Sequence, residues 1–304
     1  MVTLKPIPEG GVIRLVSPAN FVTESEIQAG IHLLETEGFR VELGKSALGR
    51  HQTYGGTDQD RAADIMDAFL APEVDAVICC RGGYGCARLV PYLDFDAIIE
   101  SRKPFFGYSD ITTIHMALNR RGLPTFYSPM VSSFQSERSA ECRESFLRAL
   151  KGTDPLATNL SRGTPLVGGT AKGNSGGGCL TLLTDSLGTT NELDSQGKIL
   201  FIEDVGEKPH RIDAYLTHLL LAGKLQCAAG IVIGEMTGTN ELRDEAAGSP
   251  TWQEIVSERL GDLDIPVIVD FPFGHINDLL TIPLGIALQL NATSGVVSTL
   301  DLLE

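Results

Sequence analysis

Residues 103–118 read KPFFGYSDITTIHMAL. The apolar run Pro104–Gly107 predicts a strand, and Asp110–Arg121 a helix that follows after two turn residues. The same change of period recurs on either side. Val12–Val16 reads as a strand and Glu24–Glu37 as a helix, with Ile27, Ile31 and Leu34 at helical spacing and Gly38 as its stop. Phe39–Leu43 returns as a strand, and Asp58–Phe69 is a helix with Thr57 as its cap. Val74–Cys80 is a buried strand, Cys86–Tyr92 a short helix, and Ala140–Leu150 a closing helix. Strands alternating with helices mark an α/β fold, a parallel sheet flanked by helices.

Composition changes after this unit. Residues 151–178, KGTDPLATNLSRGTPLVGGTAKGNSGGG, are rich in Gly, Thr, Ser and Pro, and read as a linker or long crossing segment. Beyond it we expect a helix over Leu180–Leu187, a strand Ile199–Ile202, a helix Ile212–Ala222 and a strand Gly230–Ile233. A helix Trp252–Leu260 and a strand Pro266–Val269 follow, then antiparallel strands over Ile286–Leu290 and Val296–Leu300. The expected organisation is an N-terminal α/β domain over residues 1–150, a linker over 151–175, and a second, β-rich α/β domain over 176–304.

Bulk properties narrow the function classes. The chain has 304 residues, 42% hydrophobic and 21% charged, as folded globular proteins do. Its net charge of −15 argues against a nucleic-acid partner, because phosphate binding needs clustered Lys and Arg. It equally disfavours an electrostatic hold on an anionic membrane. No apolar run reaches the roughly 18 residues that a spanning helix requires. The opening MVTLKPIPEGGVIRLVSPAN lacks the charged-then-apolar layout of a signal peptide, so a cytoplasmic protein is expected. The six cysteines form no CxxC pair and read as buried free thiols.

Two turns at strand ends are placed for chemistry, since ligands of open parallel sheets gather there. Arg81-Gly82-Gly83-Tyr84-Gly85 follows Val74–Cys80, and its glycines let backbone N–H groups face outward toward a phosphate or an oxyanion. It is neither GxGxxG nor a P-loop, and a tight turn without function has the same composition. Gly107-Tyr108-Ser109-Asp110 has the strand-turn-helix context of a nucleophile elbow, although the second glycine of GxSxG is missing. There the Ser109 hydroxyl would stand out of the sheet and the Asp110 N–H would form half of an oxyanion hole. The alternative is that Ser109 or Asp110 simply caps the helix.

A serine nucleophile needs a base. His32, His115 and His218 fall within predicted helices, His51 in a polar loop, and His210 at a helix start. His275, in the loop FPFGHIND after a strand and preceded by Gly274, is the best-placed base. Glu203, at the tip of an apolar strand, is the candidate orienting carboxylate, with Asp204, Asp270 and Asp278 as competitors. Cys80 or Cys86 is the alternative nucleophile. Metal hydrolysis is disfavoured by the lack of HExxH or a tight His/Asp cluster, and no metal or organic cofactor is expected.

Four ordered segments, RGGYGCARLVPYLD (81–94), FGYSDIT (106–112), LFIEDVGEKPHRID (200–213) and FPFGHINDLLTIPLG (271–285), together resemble the LD-carboxypeptidase family of serine peptidases. The opening VSPAN and the Gly-rich stretch 176–188 are similar as well. The resemblance spans nearly the whole chain. It implies two domains and a Ser-Glu-His triad falling on Ser109, Glu203 and His275. Oxyanion donors fall on the backbone of Gly83 and Asp110, with Gly82 and Tyr84 contacting substrate. It further implies hydrolysis of an L,D-peptide bond, releasing D-alanine from murein tetrapeptide during cytoplasmic cell-wall recycling, by an enzyme that is commonly a homodimer. A related branch, the microcin C immunity peptidases, cleaves aminoacyl or peptidyl nucleotides. His210, Ala214 and Cys179 depart from residues common in the family, which bears on substrate detail. A non-catalytic cell-wall peptide-binding protein and a Cys-dependent hydrolase stand as alternatives from other classes.

Overall fold

The computed structural model describes residues 2–157 and 163–300. The chain divides into two compact units, one running to Pro155 and including Thr281–Pro283, the other holding Leu156–Leu280 and residues 284–300.

The first unit alternates as its sequence predicts. β1 (Val12–Val16), α1 (Glu24–Thr36), β2 (Arg40–Leu43), α2 (Asp58–Leu70) and β3 (Ala76–Cys79) come first. They are followed by α3 (Phe95–Ser101), β4 (Phe105–Gly107), α4 (Thr112–Arg120), β5 (Thr125–Tyr127) and α5 (Ala140–Leu150). The sheet has six strands in the order β2-β1-β3-β4-β5, with the strand Ile282–Leu284 at the β5 edge. β1 to β5 pair in parallel. Capping sets where helices begin. Thr57 accepts from the Asp60 N–H at the start of α2, and Thr23 and Glu26 form a capping box on α1. Ile13, Leu15, Ile78, Phe106, Phe126 and Phe146 fill the core, with Phe106 stacked on Phe126 at 4.6 Å. Each such ring contributes roughly 2–3 kcal/mol by leaving water.

Three features differ from the sequence expectation. Cys86–Tyr92 is not one helix but two 3-10 turns, Cys86–Arg88 and Val90–Tyr92, because Pro91 has no N–H for a continuing ladder. α3 and β5 lie in stretches where no element was expected. Residues 282–284, assigned by sequence to the second domain with no strand expected there, form a strand that joins the first sheet. Its Ile282 and Leu284 are fully buried, and the Thr281 N–H donates to Ser145 Oγ on α5 at 2.9 Å.

The second unit comprises β6 (Thr164–Val167), β7 (Thr170–Cys179), α6 (Leu180–Asp185), β8 (Ile199–Val205), α7 (Pro209–Leu221), β9 (Gly230–Thr237), α8 (Trp252–Leu260) and β10 (Val267–Val269). With Ile282–Leu284 numbered β11, the last strands are β12 (Ala287–Asn291) and β13 (Val296–Thr299). Its seven-stranded sheet runs β13-β12-β7-β8-β9-β10-β6. β7 to β10 pair in parallel, while β6, β12 and β13 add antiparallel margins. Both units are therefore α/β, the second with the larger share of strand.

The stretch 151–175, read as a linker, contains β6 and the first half of β7; residues 158–162 of it lie outside the described residues. Two glycines of β7, Gly173 and Gly177, serve close strand packing. A Cβ at Gly177 would lie 2.0 Å from the Phe201 carbonyl oxygen of β8, and one at Gly173 would lie 2.3 Å from the Gly197 oxygen. No larger residue fits between β7 and those backbones.

Candidate active site

Ser109 follows β4 in a left-handed conformation, φ +65°. Such a backbone costs a non-glycine residue about 1–3 kcal/mol and persists only where its surroundings fix it. Three contacts do so. The Ser109 N–H donates to the Tyr127 hydroxyl at 3.1 Å. His115 Nε2 bonds the Gly107 carbonyl at 2.9 Å and its Nδ1 bonds Thr125 Oγ1 at 2.8 Å, so this histidine braces the strand end. Burial pushes His115 down to about 4, which keeps the imidazole neutral in that structural role. Gly107 gives Ile111 room, since Ile111 Cγ1 and Cγ2 would stand 3.0 Å from a Cβ there. Ile111 occupies the position where GxSxG has its second glycine, and it turns inward as core. A 3-10 turn, Ser109–Ile111, then leads into α4.

The glycine turn after β3 packs directly on this serine. A Cβ at Gly82 would lie 2.9 Å from Ser109 Cβ and 3.1 Å from its Oγ. Gly83, at φ +118°, leaves 2.4 Å between a virtual Cβ and the Asn20 side chain. Asn20, in the loop after β1, also holds the turn by hydrogen bonds, its N–H to the Gly82 carbonyl at 3.2 Å and its Oδ1 from the Tyr84 N–H at 3.3 Å. No acceptor among the described residues takes the N–H of Gly83 or of Asp110. The Asp110 carboxylate is turned inward and accepts the Cys86 N–H at 2.8 Å, and burial raises its pKa. Tyr84 is 57% exposed beside the turn, its ring 6.2 Å from that of Tyr54.

In the second unit, Glu203 lies inside β8, two residues short of its end, where the sequence placed it at the start of a loop. The β8–β9 register shifts at this point, so Glu203 faces Gly234 and Glu235 across a bulge. Its carboxylate is fully buried and accepts from His275 Nδ1 at 2.7 Å. The His275 loop is brought onto β9 by backbone bonds, Glu235 N–H to the Phe273 carbonyl at 2.9 Å and Phe271 N–H to the Ile233 carbonyl at 3.1 Å. Gly274 permits the approach, since a Cβ there would meet Glu203 Oε2 at 2.9 Å. A buried carboxylate is costly unless hydrogen-bonded, and the imidazole N–H meets that need while fixing the ring.

The competing assignments fall elsewhere. Asp204 points to the opposite side of β8 and receives the Thr181 N–H and hydroxyl, each at 2.8 Å, at the start of α6. Asp270 and Asp278 are exposed, as are His32, His51, His210 and His218. Cys80 and Cys86 are fully buried. Burial pushes the Cys80 thiol up to about 12 and holds Cys86 well above its usual value, so neither supplies the thiolate that a Cys-dependent hydrolase needs. Cys179 packs its thiol 3.5 Å from Asp204 at the start of α6. Asn20, Arg61 and Tyr127 support the Ser109 region and were not singled out by sequence. For Arg61 a signal was present, a charge on the same helical face as Ile65 and Phe69.

Comparison with known proteins places these two units. Residues 13–128 match the LD-carboxypeptidase N-terminal domain and residues 172–290 the LD-carboxypeptidase C-terminal domain. The chain belongs to the LD-carboxypeptidase family. It is accordingly a serine-type hydrolase. It is 38% identical to the Streptomyces coelicolor carboxypeptidase SCO6489, the match covering 96% of this chain and 94% of that one. It is 31% identical to the murein tetrapeptide carboxypeptidase of Pseudomonas aeruginosa, over 88% of this chain and 89% of the relative. Among solved structures it resembles the microcin C7 self-immunity protein MccF in complex with aspartyl sulfamoyl adenosine. That match has a TM-score of 0.88 at 25% identity and covers 100% of both chains. Among the described residues no helix is long and apolar enough to cross a membrane.

Proposed function

We propose that this LD-carboxypeptidase hydrolyses the L,D-peptide bond of murein tetrapeptide, with Ser109 as nucleophile, His275 as base and Glu203 as the carboxylate that orients it. The observation that carries the reading is the Ser109 elbow, a strained serine packed against a glycine turn whose Gly83 N–H is uncommitted among the described residues. Ser109 Oγ attacks the scissile carbonyl carbon while His275 Nε2 takes the hydroxyl proton. Glu203 holds the Nδ1–H tautomer and stabilises the imidazolium. The N–H groups of Gly83 and Asp110 receive the oxyanion; that of Ser109 is already given to Tyr127. The tetrahedral species collapses as His275 returns the proton to the leaving D-amino acid nitrogen. Water, deprotonated by His275, then cleaves the acyl ester and restores the Ser109 hydroxyl. Gly82 and Tyr84 flank the bound peptide. We take the working form to be a cytoplasmic homodimer with no required cofactor, acting on a small peptide.

A second reading has its own support. The MccF match covers both chains completely, and that protein is bound to an aminoacyl sulfamoyl nucleoside. This is the fuller structural likeness, whereas the murein substrate is supported by the Pseudomonas relative and by the solved muramoyltetrapeptide carboxypeptidase of Oxalobacter formigenes. The Ser109 chemistry is the same for either, since both present an acyl group to a serine.

One side-by-side assay separates them. Purified enzyme is given murein tetrapeptide and aspartyl sulfamoyl adenosine, with Ser109→Ala in parallel. The first reading expects D-alanine release with the higher kcat/KM, and preferential turnover of the nucleoside replaces it with the second. Either activity is expected to fall by at least about 10⁴-fold in Ser109→Ala, and full turnover in that variant removes Ser109 from the mechanism.

A further inference from the structure

Arg61 lies on α2 with its side chain fully buried, one turn before Ile65 on a face that otherwise enters the core. Its guanidinium reaches past the helix to two loops. Nη1 donates to the Pro18 carbonyl and, at 3.3 Å, to the Gly85 carbonyl. Nη2 bonds Asp58 Oδ1 at 2.6 Å, and Arg88 clamps the same carboxylate from outside at 2.8 Å. The guanidinium also stands 4.9 Å over the Tyr54 ring.

Those two loops bound the serine. Pro18 is in the loop after β1 that carries Asn20, which packs on Gly83 and holds the Gly82 carbonyl. Gly85 ends the glycine turn itself, and a Cβ there would come within 2.7 Å of Arg61 Nη1. The next residue, Cys86, gives its N–H to Asp110, the neighbour of Ser109. One guanidinium thus ties the loop after β1 to the glycine turn after β3 that packs on Ser109.

Stability alone does not explain an arginine here. Its Nε–H is buried with no hydrogen-bond partner among the described residues. An unmet buried donor is costly, and an apolar side chain at such a place is often neutral or better for folding. What the planar fork supplies is two carbonyls and a carboxylate held at fixed spacing, which a lysine's point charge does not reproduce.

We propose that Arg61 is a positioning residue for transition-state stabilisation, setting the Gly82–Gly85 turn so that the Gly83 N–H meets the oxyanion formed at Ser109. This rests on the assignment of Ser109 as nucleophile. The test is the rate at which a small alkyl fluorophosphonate labels Ser109, followed by mass spectrometry, because the phosphoryl oxygen occupies the oxyanion position whatever the natural substrate. In Arg61→Lys, labelling is expected to slow by about 10²-fold, the scale of one lost oxyanion donor. The low-field proton resonance of the His275–Glu203 hydrogen bond is expected to stay in place, which general loosening of the protein would not allow.

Wild-type labelling in folded Arg61→Lys overturns the proposal, as does slowing accompanied by loss of that resonance. If Arg61→Lys does not fold, Asp58→Asn removes one anchor of the guanidinium from the surface. A smaller slowing with the resonance retained is expected there, and an unchanged rate overturns the proposal. Wild-type enzyme unlabelled at Ser109 instead overturns the nucleophile assignment, and this proposal with it.

Discussion

A single added methyl group at Gly274 would collide with the Glu203 carboxylate at 2.9 Å, at a backbone φ of +123°. Gly274→Ala is therefore expected to lower stability by about 1–3 kcal/mol in chemical denaturation. It should also cut kcat/KM by about 10²-fold by displacing His275; wild-type values for both contradict the close approach. Asp204, next along β8, gives a pH signature. Burial, then the adjacent Glu203 carboxylate, pushes its pKa up to about 6. Because this lies above the unfolded value, the stability it contributes is complete below about pH 4 and is lost as pH rises through about 6. Denaturation midpoints of wild type against Asp204→Asn should shift in favour of the variant between pH 4 and pH 7. A constant difference contradicts this. At this scale the sequence marks residues by type and strand-end placement, as with His275 after Gly274. It does not mark Tyr127, whose importance lies in the distant Ser109 N–H that its hydroxyl reaches.

Among the elements, β7 is the one whose reading the structure changed most. Gly173, Gly176, Gly177 and Gly178 look like linker composition, yet the strand runs ten residues and pairs with β8 and β12. The reason is local crowding, which no propensity scale contains. Gly177→Ala would set a methyl group 2.0 Å from the Phe201 oxygen at φ +113°. We expect a loss of about 3 kcal/mol or more, read as a lowered denaturation midpoint; a midpoint within error of wild type contradicts the packing argument. Long periodic segments such as α1 and α2 were legible to within a residue or so because capping and apolar spacing agree. The three-residue strand β5 and the seven-residue helix α3 were not, since each is too short to complete a period that stands out.

For the molecule as a whole, the α/β alternation predicted from sequence is present, while strand order was not legible. The order β2-β1-β3-β4-β5 puts the topological switch between β1 and β3. The loops after those two strands carry Asn20 and Gly82–Gly83, and the loop after β4 carries Ser109, so the candidate site occupies the sheet's natural binding end. The central proposal is that Ser109 and His275 work as one catalytic device. Its most direct test compares kcat/KM of Ser109→Ala, His275→Ala and the double variant on the preferred substrate. Residues that act as a unit are strongly non-additive. Each single variant should lose at least about 10⁴-fold and the double variant no more than either alone; losses that multiply in the double variant would contradict the shared mechanism.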